Sequence, residues 1–187
     1  MKNPRVLCLL AEGFEEIEAL APVDLLRRAN CEVVLAAVAD HREVRGRNGI
    51  IVRADTVLSE ICPLNAEGKP EFDVLMIPGG PGVSELRKDG RAIRLATAYG
   101  QAGAWVAAIC AAPLILADAG LLANRRFTAH FSVWSELPQV PDPQRVVIDG
   151  NLITSRGAGT ALDFGLALIE VLLGAQKREE VSVSIML

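Results

Sequence analysis

Cys110 is the residue of this chain best placed to act as a nucleophile. It ends the apolar run Trp105-Val106-Ala107-Ala108-Ile109 and is followed by Ala111, Ala112 and Pro113. The run has the length and content of a fully buried strand, and the residues after it read as the start of a helix. A strand that turns into a helix at one cysteine, with only small neighbours, is an elbow. Small residues let the chain turn sharply and leave room for a substrate beside the sulfur. Backbone N–H groups near the helix N-terminus favour the thiolate there. A free thiol of pKa ~8.5 is only a few per cent ionised at neutrality; lowering it to ~6 raises the thiolate fraction roughly 30-fold. A free cysteine is otherwise most often a small buried hydrophobe, so the residues around the elbow decide between these readings.

Three other groups bear on that choice. The apolar run Phe72–Ile77 passes directly into Pro78-Gly79-Gly80-Pro81-Gly82. As a phosphate loop this turn fails: G-x-x-x-x-G-K-[ST] is absent, and G-x-G-x-x-G counted from Gly80 meets Glu85 at its last position. Its better use is backbone N–H donation to an oxyanion, with Gly80 approaching closely because it lacks a side chain. Glu15, Glu16 and Glu18 cluster where a first helix begins. Such charges commonly complement the helix dipole in solvent, but one turned towards a thiolate is pushed towards its protonated form by burial and like charge. It then donates a hydrogen bond to sulfur or shuttles a proton, and periodicity alone does not choose which glutamate does so. Of the two histidines, His41 falls beside a surface hairpin, whereas His130 follows the elbow helix in a segment able to reach Cys110.

The elements that must position these groups alternate between strands and helices. Arg5–Leu10 is a first buried strand, and Glu15 opens a helix to about Asn30 that Pro22 should bend or break. Glu32–Val38 is a second strand, and residues 41–53 suggest a hairpin at the sheet's edge. Thr56–Cys62 reads as a short helix, Phe72–Ile77 as the third core strand, and 84–102 as one or two helices. Arg145–Ile148 and Asn151–Thr154 flank the hairpin signal Asp149-Gly150. Thr160–Leu173 is an amphipathic helix stopped by Gly174, with Thr160 and Asp163 resembling a capping box. This alternation implies a mainly parallel sheet covered on both faces, an α/β sandwich occupying residues 1–187 as one domain. In such sheets, sites form beyond the C-terminal strand ends. The loop after the first strand, the glycine turn and the elbow should meet there.

Composition narrows the function classes. With 187 residues, 51% hydrophobic, and a net charge of −4, the chain has the make-up of a compact globule without a basic patch for nucleic acid. Aromatic content of 4% argues against base-stacking platforms. No apolar run reaches membrane-spanning length, and the start of the chain lacks the zones of a signal peptide. The four cysteines at 8, 31, 62 and 110 have no paired spacing and read as reduced thiols of a cytoplasmic protein. Neither Cys-x-x-Cys nor His-Glu-x-x-His occurs, so no metal site is expected.

Four stretches, in order along the chain, resemble the ThiJ/PfpI superfamily, and within it the DJ-one branch associated in humans with parkinsonism. They are Gly13-Phe14-Glu15-Glu16-Ile17-Glu18 with Pro22 to Ala29, Phe72-Asp73-Val74 through Pro78-Gly79-Gly80, Ala107 to Pro113, and Asp149 to Phe164. The resemblance implies a flavodoxin-like three-layer sandwich with a nucleophile elbow. It implies that Cys110 is the nucleophilic, oxidation-sensitive cysteine and Glu18 the carboxyl group against its sulfur. The backbone amides of Gly80 and Ala111 match the oxyanion hole, and His130 sits where the branch often places a histidine. Family members are commonly homodimers, with a residue like Arg28 approaching the partner's site, and Gly79 and Asn48 fall beside the pocket. Phe131 stands where the branch often has proline, and Asn48 where some relatives carry arginine.

What the resemblance implies for function is cofactor-independent glyoxalase or deglycase chemistry. The substrates would be methylglyoxal, glyoxal, or their early adducts on proteins or nucleotides, without specific nucleic-acid or membrane binding. A redox sensor or stress chaperone, oxidised at Cys110 and needing no turnover, is the alternative from another class. The family's peptidase branch has a histidine directly after the cysteine, where this chain has Ala111. A kinase role in thiamine synthesis lacks any phosphate-binding motif here.

Overall fold

The computed structural model describes residues 3–187, and no described helix is long and apolar enough to cross a membrane. A seven-stranded sheet forms the centre, built on β1 (Arg5–Leu10). Beside β1 lie β2 (Glu32–Ala37) on one side and β6 (Val74–Ile77) on the other, both parallel to it. β5 (Thr56–Val57) extends the β2 edge, and β7 (Trp105–Ile109) continues from β6. β9 (Leu152–Ser155) is parallel to β7, and β8 (Val146–Asp149) closes the sheet as its antiparallel hairpin partner. The chain winds outward from β1 in one direction and then in the other, which makes the β1–β6 boundary the topological switch point.

Alternation along β1 divides the core between the sheet's two faces. Val6, Cys8 and Leu10 pack with Leu25 and Leu26 of α1 (Glu16–Arg28) and Phe164 and Leu168 of α5 (Ala161–Leu173). Leu7 and Leu9 pack with Leu86 of α2 (Val83–Asp89), Leu95 and Tyr99 of α3 (Arg91–Gln101), and Ile115 of α4 (Pro113–Asp118). The result is the flavodoxin-like α/β sandwich.

Several local expectations change. α1 runs unbroken through Pro22: proline withholds one N–H from the carbonyl four residues back, but Pro22 and Leu25 pack so closely on Gly165 of α5 that a β-carbon there would stand 2.9 Å from Pro22 Cα. This tight helix contact outweighs the lost bond. Thr56–Val57 is a strand rather than the start of a helix, followed by a single 3-10 turn over Leu58–Glu60. β6 starts at Val74, and the Asp73 carboxylate before it accepts a hydrogen bond from Arg5 N at 2.7 Å. The stretch 84–102 divides at Gly90, whose φ of 76° ends α2.

The hairpin of β3 (Glu43–Arg45) and β4 (Ile51–Arg53) is not at the sheet's edge. It forms a separate two-stranded sheet over the start of α1, where Gly13 N donates to Arg45 O at 2.8 Å. No Thr160–Asp163 capping box forms at α5. Thr160 Oγ1 donates instead to Gly157 O at 2.8 Å, and Asp163 pairs with Arg145 at 2.7 Å. A further helix, α6 (Ala175–Ser184), follows Gly174.

Candidate active site

The switch point puts the ends of β1, β6 and β7 side by side, and each supplies one part of the site. At the end of β7, Cys110 has a φ of 67°, the left-handed region that costs a residue with a side chain about 1–2 kcal/mol. Two backbone bonds hold it there: Cys110 N donates to Ser155 O at 2.9 Å, and His130 N donates to Cys110 O at 2.8 Å. The strained turn projects the thiol away from the sheet, and Pro113 at the first position of α4 sets the chain into the helix without needing a donor.

The loop after β6 comes so close that only glycine fits. A β-carbon on Gly79 would stand 2.6 Å from Glu18 Oε2, 2.7 Å from Cys110 Cβ and 2.9 Å from Ile109 O. Gly79 N donates to Glu18 Oε2 at 3.0 Å. Gly80, at φ 94°, passes the start of α1, where a β-carbon would stand 2.5 Å from Gly13 O. Its amide and that of Ala111 both act on the Cys110 sulfur and favour the thiolate.

Glu18, in the first turn of α1, is 1% exposed and lies against the thiol. Burial, above all, pushes its carboxyl up to about 7, against the hydrogen bonds from Cys110 and Gly79; the charge of Glu15 adds to the rise. Cys110 departs from the expectation of a lowered thiol. Burial, then the Glu18 carboxylate beside it, push it up to about 12, and the amides of Gly80 and Ala111 only partly offset this. The two groups titrate as a pair. One proton leaves near neutrality and the second is held until strongly alkaline pH, because two adjacent buried anions repel. Burial and the neighbouring carboxylate keep that second proton on the thiol at rest; when it passes to Glu18, the sulfur bears the single negative charge, facing the amides.

The other two glutamates have different work. Glu16 turns into the β3–β4 loop, accepting from Asn48 N at 2.8 Å and Asn48 Nδ2 at 2.9 Å. Glu15 faces the cavity and pairs with Arg47 Nε at 3.4 Å. The cavity, about 330 Å³, is lined by Glu15, Glu18, Arg47, Gly80, Cys110 and His130, among others.

The structure thus brings Cys110, Glu18, Gly79, Gly80, Ala111 and His130 together. His41 is exposed and bonded to Glu43 O at 2.8 Å. Asn48 is not a cavity residue: its amide serves Glu16, and the arginine that lines the cavity is its neighbour Arg47, which sequence reasoning missed. Arg28 ends α1, paired with Asp24 at 2.6 Å. Ten residues of helix, about 15 Å, separate it from Glu18 of the same chain.

Comparisons with known proteins agree with the fold. The description "DJ-1/PfpI family" applies to the family that matches residues 4–171. Protein dj-1beta of Drosophila melanogaster is 36% identical, over 94% of this chain and 93% of its own length. A Caenorhabditis elegans relative named glutathione-independent glyoxalase DJR-1.2 is 32% identical, over 92% of this chain and 90% of its own. The solved structure of oxidized Toxoplasma gondii DJ-1 superposes with a TM-score of 0.89 at 33% identity, covering 98% of both chains. Some relatives are longer: this chain spans 40% of Arabidopsis thaliana protein DJ-1 homolog B, at 37% identity.

Proposed function

The chain belongs to the DJ-1/PfpI family, and from that premise we propose that it is a cofactor-independent, glutathione-independent glyoxalase or deglycase. Its substrates are small dicarbonyls, methylglyoxal and glyoxal, free or as early adducts. The observation that carries the reading is the Cys110–Glu18 pair, hydrogen-bonded to each other and largely buried beside the amides of Gly80 and Ala111. Transfer of the thiol proton to Glu18 within that pair provides both a sulfur nucleophile and an acid in contact with it.

The chemistry runs as follows for methylglyoxal. Cys110 sulfur attacks the aldehyde carbon, and the carbonyl electrons move to oxygen. The proton held by Glu18 passes to that oxygen, giving a hemithioacetal and leaving Glu18 as carboxylate. The amides of Gly80 and Ala111 and the ring of His130 support the developing charge. Glu18 then removes the proton from the former aldehyde carbon, giving an enediol, and delivers it to the neighbouring carbon, while the hydroxyl proton on the sulfur-bearing carbon passes to the neighbouring oxygen and leaves a carbonyl behind. The product is a lactoyl thioester on Cys110, which water cleaves to lactate and free thiol. Water and methylglyoxal are consumed in equal number, with no net oxidation and no cofactor.

A homodimer belongs to the same proposal. Ile17, Ala21, Asp24 and Arg28 follow one another at helical spacing along the outer face of α1, and Ile17, Ile50 and Ile51 are 55%, 55% and 52% exposed. A second copy covering this face brings its Arg28 towards the neighbouring site.

The test is lactate formation from methylglyoxal without glutathione. Steady production over many turnovers, lost in Cys110→Ser and Glu18→Gln, supports the reading. The second reading is a redox sensor, favoured by the same amides, which suit a sulfinate on Cys110 as well as a thiolate. No lactate, with Cys110 gaining two oxygens under mild peroxide, moves the assignment there.

A further inference from the structure

A neutral imidazole carries its proton on either ring nitrogen, and the choice decides whether it offers a cavity a donor or an acceptor. In His130 the choice is made by its own chain two residues on. His130 caps the 3-10 turn Phe131–Glu136, and Ser132 N donates to His130 Nδ1 at 3.3 Å. A backbone N–H can only donate, so Nδ1 must present its lone pair. Ser132 Oγ lies 2.8 Å from the same nitrogen. A hydroxyl serves in either role, and opposite a lone pair it donates. Both bonds place the ring proton on Nε2.

The other edge of the ring faces the reacting groups. Cδ2, bonded to Nε2, is 3.4 Å from the point where a β-carbon on Gly157 would stand, and that same point is 3.7 Å from Glu18 Oε1 and 4.0 Å from Cys110 Sγ. His130 and Ser132 both line the cavity that holds Cys110. The ring's own freedom is small: its backbone N–H is tied to Cys110 O, and the Phe131 ring lies 4.2 Å away at 33°.

We propose that Ser132 is a positioning residue that locks His130 in the Nε2–H tautomer, making the ring a neutral hydrogen-bond donor to the oxygen of a bound carbonyl substrate. His130 is then not a base in the resting site, and Glu18 alone carries protons between carbon and oxygen. A neutral donor aimed at a developing alkoxide stabilises it without giving up its proton. The identity of that oxygen rests on the dicarbonyl reading above; the tautomer does not.

His41 provides an internal contrast. Its Nδ1 lies 2.8 Å from Glu43 O, a carbonyl that only accepts, so that ring carries its proton on Nδ1. The experiment is nitrogen-15 NMR of the full chain with labelled histidine, at pH ~8.5, where ordinary imidazoles are neutral. His41→Gln assigns the two rings. Opposite tautomers, with Nε2–H at His130, are expected; a proton on Nδ1 of His130 overturns the lock. Kinetics on methylglyoxal supply the second arm. Ser132→Ala removes the shorter contact and leaves Nδ1 only the backbone donor at 3.3 Å; it should lower kcat about fivefold, the value of one hydrogen bond, with KM unchanged and a minor Nδ1–H population appearing at His130. Ser132→Thr, which keeps the hydroxyl, should restore both. Wild-type kcat in Ser132→Ala with an unmixed tautomer refutes the positioning role. Should the wild-type chain form no lactate, the dicarbonyl reading fails while the NMR result still decides the tautomer.

Discussion

Replacing Gly79 with alanine adds one methyl group at the closest approach in the site. Gly79 does not have a left-handed backbone, so alanine suffers no conformational penalty there, and its effect is steric alone. The new carbon would stand 2.6 Å from Glu18 Oε2 and 2.7 Å from Cys110 Cβ, where ordinary contact begins near 3.4 Å. Relief requires movement of roughly 0.5–1 Å, a misplacement that can cost about 100-fold in rate. Cys110 cannot yield easily, because both its backbone bonds are made and its φ is already strained. Glu18 is the group that moves, breaking the bond from Gly79 N and parting the pair. We expect Gly79→Ala to lower kcat/KM for methylglyoxal about 100-fold. Crowding of this kind typically costs ~1–3 kcal/mol of stability, with Tm falling roughly 2–4 °C for each kcal/mol in a chain of this size. The control is Gly159→Ala, where a β-carbon meets nothing within 4 Å; it should match wild type in both assays. Lactate assays and thermal unfolding measure the two effects. Wild-type turnover in Gly79→Ala would refute the claim that contact between Glu18 and Cys110 drives the chemistry.

Other perturbations test the remaining parts. Glu18→Gln should lower lactate formation by ~10²–10⁴, the usual contribution of a positioned acid–base group, and wild-type activity should rise with pH through about 7 as the pair loses its first proton. The same group sets a stability slope. The folded chain holds the Glu18 proton more tightly than the unfolded one, so its stability is fullest below pH 4.5 and falls as pH rises through about 7. At ~1.4 kcal/mol per pH unit the loss is about 3 kcal/mol, and denaturant melts of Glu18→Gln should show this part of the slope removed. Thr154→Val strips the buried Thr128 N–H of its partner, Thr154 Oγ1 at 2.9 Å, and should cost ~1–3 kcal/mol in urea unfolding. Ile17→Glu puts a charge on the exposed face of α1; light scattering should find the proposed dimer in the wild-type chain and monomers in the variant, and equal mass in both would contradict this interface.

The elbow was legible because its signal is local: a buried run, one cysteine, small residues and a proline. The glutamates show where local signals stop. Glu16 and Glu18 are two residues apart on a helix, hence about 200° apart around it, so only one can face the sulfur. Which one depends on the β3–β4 hairpin, whose loop takes Glu16, and nothing near residue 16 announces that hairpin's position. The same non-local placement separates Arg47 from Asn48, since one residue decides which side chain enters the cavity. α6 lacks an apolar stripe, with Val181 its only buried residue, and so gave no periodic signal. The titration of Cys110 was misread for a related reason. The helix N-terminus is visible in sequence, but burial and the distance to Glu18 are not, and together they outweigh it.

The central claim is that Cys110 sulfur bonds to the dicarbonyl carbon during turnover. Acid-quenching the protein within its first turnovers on methylglyoxal, then weighing the intact chain and its Cys110 peptide, tests that bond directly. The account predicts one substrate mass on the Cys110 peptide of the wild-type chain and none in Cys110→Ser. Lactate formed at full rate with no adduct on that peptide, or with adducts only on lysine and arginine side chains, would contradict it.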